Sequence, residues 1–119
     1  MIKGIGLDVI ELNRIKQLLD RQGKFVHRIL TESEVREFTS LSEQRKIEYF
    51  AGRFAVKEAY AKARGTGIGA ELSFQDIEIN KDPNGRPYLS QPTTLGENVQ
   101  ISITHTKQNA AAVVIIETM

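Results

Sequence analysis

One long segment, residues 47–63 (IEYFAGRFAVKEAYAKA), constrains most strongly what this chain can fold into. Read as a helix, it places Phe50 and Phe54 on one stripe with an isoleucine and two alanines. The same spacing continues the stripe onto Glu58 and then Lys62. A carboxylate at the end of a buried stripe is costly unless a cation, a metal ion or several hydrogen-bond donors compensate its charge. The segment therefore predicts a core helix with reactive chemistry at its charged end.

The composition predicts one small domain over residues 1–119. A chain of this length buries roughly two-thirds of its unfolded surface, which is enough for a core without covalent cross-links. It has no cysteine, which excludes disulfides, thiolate metal sites and a thiol nucleophile. The opening MIKGIGLDVIELNR has no long apolar run, so we expect no signal peptide, no membrane span and a cytoplasmic location.

Charge is balanced overall but not along the chain. Sixteen lysines and arginines against 15 aspartates and glutamates give a net charge of +1, which argues against nucleic-acid binding. Between residues 12 and 30, a single aspartate accompanies five basic residues: Arg14, Lys16, Arg21, Lys24 and Arg28. This segment fits either an acidic partner or an ordinary solvated helix surface.

Alternating side chains predict a strand over residues 2–10. Three aliphatic residues alternate there with two glycines and Asp8, which puts the aspartate on a face without bulky neighbours. If Asp8 faced the long helix, it and Glu58 would supply two oxygen ligands, as for Mg²⁺ held together with water and substrate phosphate. Two carboxylates alone are a weak signal, because strand aspartates near loops often serve as turn or cap residues.

Residues 13–40 contain capping and stop residues that predict two or three short helices. Asn13 is predicted to cap a short helix that has Gly23 as its stop. Residues 25–40 suggest one or two further helical pieces, with Thr31 and Glu34 as a capping box.

The long helix is expected to begin after Ser42 and to stop at Gly65, at the head of the glycine-rich stretch GTGIG (65–69). Backbone amides in such a stretch can cradle a phosphate. This stretch follows a helix and lacks the lysine of a P-loop, so a plain helix stop explains it equally well. Glu58 and Lys62 likewise have the spacing of an ordinary ion pair on a helix surface.

The second half predicts strands. Residues 74–79 mark one strand, DPNGRP (82–87) a turn and residues 88–89 a short strand. Residues 99–116 form a hairpin, with His105 at its mouth. A lone histidine at a strand end is more often a structural residue than a ligand. The predicted fold class is α+β, an antiparallel sheet with the long helix packed on it.

Three strings of this sequence resemble the holo-acyl-carrier-protein synthase family, the short 4′-phosphopantetheinyl transferases. They are GIGLDVIEL (4–12), FAGRFAVKEAYAKARGTGIG (50–69) and ISITHT (101–106), and the resemblance covers essentially the whole chain. A strand aspartate, a helix with K-E-A-x-x-K and a terminal S-[I/V/L]-[S/T]-H rarely arise together in an unrelated chain of this length. The resemblance implies the 4′-phosphopantetheinyl transferase fold.

The resemblance also implies an activity. It is transfer of the 4′-phosphopantetheine group of coenzyme A to a serine of apo acyl carrier protein, in support of fatty acid biosynthesis, leaving adenosine 3′,5′-bisphosphate. Mg²⁺ is the implied cofactor, with Asp8 and Glu58 as its ligands, and Lys62 would neutralise charge on the leaving phosphate. Either Glu58 or a metal-bound water would accept the serine proton. The implied coenzyme A contacts are Arg53, Lys62, Gly65, Thr66, Gly67 and His105.

The basic segment acquires a use in the same way. Carrier proteins are acidic along the helix after their modified serine, and the family binds that helix through positions that correspond to Arg14, Gln22, Lys24 and Arg28. Charge complementarity would orient the partner and speed encounter. Family members of this length usually form trimers with sites between subunits, so a homotrimer is expected. A non-catalytic module that binds carrier protein or coenzyme A is the main alternative, and a nucleic-acid-binding domain is a third.

Overall fold

The computed structural model describes all residues from 1 to 119. One strand is followed by four helices, a short 3-10 turn and four further strands. The elements are β1 (Ile2–Glu11), α1 (Leu12–Arg21), α2 (Lys24–Ile29), α3 (Glu32–Thr39), α4 (Glu43–Arg64), the 3-10 turn (Phe74–Asp76), β2 (Glu78–Lys81), β3 (Pro87–Gln91), β4 (Glu97–His105) and β5 (Asn109–Thr118). None of the helices combines the length and apolar character that crossing a bilayer requires.

The sheet and the long helix form the centre of the molecule. β1, β5 and β4 pair in that order as one antiparallel sheet, and α4 packs across it. β2 and β3 form a separate antiparallel pair. This arrangement confirms the predicted α+β class, with its antiparallel sheet and long packed helix.

α4 lies so close to β1 that two positions on the strand have no room for a side chain. A Cβ on Gly6 would lie 1.7 Å from the carbonyl oxygen of Ala59. A Cβ on Gly4 would lie 2.0 Å from the carbonyl oxygen of Ala63. The strand face that these glycines share with Asp8 is therefore occupied by the helix itself. This close approach sets Asp8 beside the last turns of α4.

The first helix ends near Gln22 as predicted, but the residues predicted to cap and to stop it were wrong. α1 begins at Leu12 instead of after Asn13, because the N–H group of Leu12 donates to the carbonyl oxygen of Gln108 in the hairpin at 2.8 Å. Gly23 has a φ of −56° and leads directly into α2. α1 therefore ends at the backbone of Gln22, without a left-handed glycine.

Other boundaries were predicted correctly, with one exception. Thr31 and Glu34 form the expected capping box of α3. Gly65 ends α4 with a φ of 88°, a conformation that favours glycine. The exception is Phe74, which begins a 3-10 turn instead of a strand, since a second capping box over residues 73–76 closes the chain into a turn there.

A fully buried ion pair ties the small helices to α4. Lys57 Nζ donates to Glu34 Oε1 at 2.6 Å, and both side chains are inaccessible to solvent. The same ammonium donates to the carbonyl oxygens of Ile29 and Phe74 at 2.6 and 3.1 Å. The other oxygen of Glu34 accepts the N–H group of Ile79 at 2.9 Å. The charges are thus paired and their hydrogen bonds satisfied, as burial requires.

The sheet face turned away from α4 is uncovered, and it is apolar along β1 and β5. Ile5, Leu7 and Val9 of β1 are 61%, 59% and 60% exposed. Val113 and Ile115 of β5 lie in register beside Leu7 and Ile5. We call these five residues the outer sheet face.

Candidate active site

Asp8 on β1 and Glu58 on α4 line the same cavity, of about 620 Å³. One helical turn after Glu58, Lys62 Nζ donates to Asp8 Oδ1 at 3.1 Å and to the carbonyl oxygen of Leu7 at 3.0 Å. The other residues of the cavity wall are five hydrophobic residues, one basic residue, one further acidic residue and an asparagine: Val9, Ile10, Leu18, Phe25, Phe54, Arg14, Glu11 and Asn109. The structure therefore brings together the three residues that the sequence predicted as catalytic.

The carboxylate of Glu58 is half-buried, and no side chain or backbone group of the protein pairs with it. It makes no hydrogen bond or ion pair, because Lys62 is bonded to Asp8 instead. The ordinary i,i+4 ion pair between Glu58 and Lys62 is therefore not formed. Burial raises the pKa of Glu58 above its usual value, the negative charge of Asp8 raises it further, and Lys62 lowers it.

These carboxylates fit a hard divalent cation. Asp8 and Glu58 offer oxygen ligands, and a cation would offset both causes of the raised pKa of Glu58, its burial first and then the negative charge of Asp8. No cluster of three or more histidine, cysteine or acidic side chains forms an alternative metal site. Mg²⁺ is commonly held by one or two carboxylates that leave positions for water and substrate phosphate. The residues present are therefore those expected for Mg²⁺.

A second cavity, of about 550 Å³, contains Arg53 and His105. The Arg53 guanidinium is 4% exposed and lies over the ring of Tyr49, 4.3 Å from its centroid. Its Nε and Nη2 atoms are buried without a hydrogen-bond partner. A buried cation with unused donors is suited to binding an anion such as a phosphate. We call this cavity the basic pocket.

His105 lies at the end of β4, in the wall of the basic pocket. Its Nδ1 atom is 3.9 Å from Glu48 Oε2, and half of the side chain is exposed. Three further basic residues of this pocket were not predicted as site residues: Arg45, Lys81 and Arg86. The sequence carried a signal for one of them, because Arg45, Tyr49 and Arg53 recur at four-residue spacing on α4.

Gly65, Thr66 and Gly67 line neither of these cavities. The N–H groups of Gly65 and Gly67 both donate to the carbonyl oxygen of Ala61 at 3.1 Å, and both glycines have positive φ. Their amides therefore satisfy the end of α4, as a helix stop does. Contacts of these three residues with coenzyme A remain a prediction.

The predicted carrier-protein surface is exposed and borders the cavity of Asp8. Arg14, Gln22, Lys24 and Arg28 are all exposed on α1, on α2 or between them. Arg14 also lines the cavity. One basic side chain of this surface, that of Arg14, therefore lies in the same cavity wall as the two carboxylates.

Comparison with known proteins identifies the family. The model of the 4′-phosphopantetheinyl transferase superfamily matches residues 4–116. The chain belongs to this superfamily. Among its relatives, the holo-[acyl-carrier-protein] synthases of Listeria monocytogenes serotype 4a and Bacillus pumilus are each 56% identical over 117 residues. These matches cover 98% of this chain and 99% and 97% of the relatives.

Solved structures of phosphopantetheinyl transferases confirm the fold. A holo-(acyl-carrier-protein) synthase from Bacillus anthracis in complex with CoA (3′,5′-ADP) has a TM-score of 0.93 and 51% identity, covering 100% of this chain and 99% of that one. The Helicobacter pylori holo-[acyl-carrier-protein] synthase in complex with coenzyme A has a TM-score of 0.83 and 35% identity, covering 95% and 99%. The family predicted from the three sequence strings is thus confirmed.

Proposed function

We propose that this chain transfers the 4′-phosphopantetheine group of coenzyme A to a serine hydroxyl of apo acyl carrier protein, in support of fatty acid biosynthesis. The observation that carries this proposal is that Asp8 and Glu58 line one cavity and that Lys62 donates to Asp8. Its close relatives are holo-[acyl-carrier-protein] synthases. A cytoplasmic location remains a prediction from the cysteine-free sequence.

The proposed reaction replaces one oxygen on phosphorus by another. The serine oxygen bonds to the phosphorus that carries the pantetheine arm, and the bond from that phosphorus to the bridging oxygen of the diphosphate breaks. Adenosine 3′,5′-bisphosphate leaves with the bridging oxygen, and the serine proton passes to Glu58 or to water. Negative charge grows on the bridging oxygen, and Lys62 is assigned to neutralise it.

Mg²⁺ is the proposed cofactor, with Asp8 and Glu58 as its protein ligands. When bound, the ion would supply neutralisation of the diphosphate charge. Lys62 is 53% exposed, so its long side chain is free to turn from Asp8 toward a phosphate. The two carboxylates then hold the cation while the lysine acts on the leaving group.

The basic pocket is the proposed site of the nucleotide phosphates. Arg53 has two unused buried donors there, and His105 lies in the same wall. A guanidinium matches the geometry of phosphate oxygens, and its burial limits competition from water. Burial of Arg53 next to an open pocket is otherwise unexplained, since the structure gives it only the ring of Tyr49 and a distant carboxylate.

The carrier protein is proposed to dock on α1 and α2. Arg14, Lys24 and Arg28 would face the acidic helix of the carrier, and Gln22 would contribute hydrogen bonds. The apolar part of the adjoining cavity, lined by Leu18, offers room for a nonpolar side chain of the partner. The modified serine would thereby arrive beside Asp8 and Glu58.

A homotrimer with sites between subunits is part of the proposal. The outer sheet face is a contiguous apolar surface that a monomer would leave in water. In addition, the cavity of Asp8 and Glu58 shares no lining residue with the basic pocket of Arg53 and His105. One coenzyme A molecule would reach both groups most simply if they come from neighbouring subunits.

The direct test is a transfer assay with purified components. Incubation with apo acyl carrier protein, coenzyme A and Mg²⁺ should raise the mass of the carrier by one phosphopantetheine group on a single serine. A carrier with that serine replaced by alanine should stay unmodified, and a chelator should stop the reaction. Lys62→Ala should lower kcat at saturating substrates, because the lysine acts on charge that grows in the transition state.

The same assay separates an enzyme from a binding module. Coenzyme A binding without any change in carrier mass, across several acidic carrier proteins, would contradict the proposed transfer and favour the non-catalytic alternative.

A further inference from the structure

Glu37, on α3, lines the basic pocket close to the Arg53 cation on α4. Its Oε1 atom is 4.0 Å from Arg53 Nη2, which is too long for a hydrogen bond. The Nη2 atom therefore has no hydrogen-bond partner, although Glu37 is its nearest counter-charge. Glu37 itself is 37% exposed, whereas Arg53 is 4% exposed.

Such a carboxylate and an incoming phosphate compete for the same guanidinium. In the ligand-free protein Glu37 offsets part of the cost of burying Arg53. Once a phosphate binds Arg53, Glu37 becomes a neighbouring like charge and opposes it. We infer that Glu37 limits the affinity of the basic pocket for nucleotide phosphates. This inference rests on the proposed function, because it assigns those phosphates to coenzyme A and its bisphosphate product.

The charges lining the pocket support a built-in limit on affinity. Four permanent cations line it, Arg45, Arg53, Lys81 and Arg86, together with two carboxylates, Glu37 and Glu48, so two positive charges remain. Glu48 lies near His105, which is half-exposed, so water screens that pair. Only Glu37 faces the fully buried cation, where screening is weakest.

Limited affinity has a use in turnover. A phosphate-binding pocket that held coenzyme A very tightly would also retain adenosine 3′,5′-bisphosphate, since both present the same nucleotide. Product release limits many enzymes whose chemistry is fast. A carboxylate that weakens both complexes therefore shortens the lifetime of the product complex.

The test is calorimetric titration of adenosine 3′,5′-bisphosphate into full-length Glu37→Gln. The Kd should fall roughly fivefold or more, as expected when one coupled charge is removed. Glu32→Gln is the matched control, because Glu32 is on the same helix, is 93% exposed and pairs only with Arg36. Its Kd should equal that of the wild type. An unchanged or higher Kd in Glu37→Gln would overturn the inference.

Repeating the titration in a variant that lacks Arg53 shows whether Glu37 acts through that residue. Adding Glu37→Gln to Arg53→Gln, or to Arg53→Lys if the first does not fold, should leave the Kd unchanged, since the competition has been removed. A similar tightening in that background would overturn the inference. Wild-type protein that binds no bisphosphate would instead contradict the proposed function, so the two failures are distinguishable.

Discussion

At the scale of single residues, the proposed metal ligands Asp8 and Glu58 should each be irreplaceable. Asp8→Asn and Glu58→Gln each remove one of two proposed oxygen ligands, so turnover should fall by about a hundredfold or more at saturating Mg²⁺. The fold should persist, because neither side chain is fully buried. The measurement is transfer rate together with circular dichroism. Glu71→Gln, in an exposed loop, is the control with the same charge change.

Near-normal rates in either variant would contradict the assignment of the metal ligands. A loss of rate in Glu71→Gln as well would point to overall charge instead of to the site.

The sequence pointed to candidate site residues where a charged side chain stands at a position that the surrounding pattern would leave to an apolar or small residue. Glu58 was found because a charge interrupts an apolar stripe, and Asp8 because glycines surround it. Lys57 and Glu34 form the most buried ion pair, yet the sequence predicted only the capping role of Glu34 and not its pairing with Lys57. Their partners are main-chain atoms and side chains distant in sequence, so no local pattern reports them.

At the scale of elements, the contact between α4 and β1 sets the spacing of the site. Gly6→Ala would force a methyl group into the carbonyl oxygen of Ala59, so the helix must move away from the strand. We expect a loss of about 3 kcal/mol in the free energy of unfolding. The folded fraction should also transfer more slowly, because Asp8 and Glu58 separate. Chemical denaturation and the transfer assay measure the two effects.

Gly69→Ala is the matched control for this substitution. A Cβ at Gly69 meets nothing within 4 Å, and the residue does not have a positive φ. Stability close to that of the wild type is expected there. An equal loss in both variants would contradict the close-approach argument.

The stability that Glu97 contributes, through its contacts with Arg64 at the end of α4 and with Lys3, should depend on pH. Arg64 on α4 donates to both oxygens of Glu97 on β4, and Lys3 on β1 donates to Oε2 at 2.6 Å. These hydrogen bonds, first those of Arg64, lower the pKa of Glu97 to about 2 from an ordinary value of 4.5. The unfolded chain therefore binds this proton first, so the stabilisation is present above pH 4.5 and is lost as the pH falls toward 2.

Unfolding free energies of the wild type and Glu97→Gln between pH 7 and pH 2 measure this contribution. The difference should be largest above about pH 4.5 and shrink in acid. A difference that does not depend on pH would mean that Glu97 acts by shape alone.

The basic residues of α1 and α2 should affect binding of the carrier protein and not binding of coenzyme A. Arg14→Glu or Arg28→Glu should raise the KM for carrier protein by about tenfold at low ionic strength and less at high ionic strength. The affinity for coenzyme A should change little. Lys107→Glu, in the exposed hairpin turn, is the control. Equal losses for both substrates would make this surface structural.

Element boundaries were predictable where one residue decides them, as Gly65 does for α4. They were missed where a distant segment decides them. The start of α1 depends on a carbonyl oxygen of the hairpin, nearly a hundred positions later, which local spacing cannot report.

At the scale of the whole molecule, the two cavities are separate within one chain, although the proposed reaction needs both of them at one coenzyme A molecule. The outer sheet face is apolar, and the carboxylate cavity and the basic pocket have separate walls. A closed symmetric assembly would bury the first and join the other two. The periodicity of the sequence predicted the strands but gave no information on which face of the sheet would meet another subunit in the proposed assembly.

Mixed assemblies test this arrangement. Glu58→Gln and Arg53→Gln should each be inactive alone, but refolding them together should restore activity, because some sites then combine an intact Glu58 with an intact Arg53. Random mixing at equal amounts restores about a quarter of the sites if each site draws on two subunits. If both residues act within one chain, no activity returns.

The role of the outer sheet face is tested in the same mixture. Adding Leu7→Lys to both partners should charge the outer sheet face, give monomers by sedimentation and remove the restored activity. Leu95→Lys, which alters a fully exposed leucine that is not part of that face, should leave the restored activity intact.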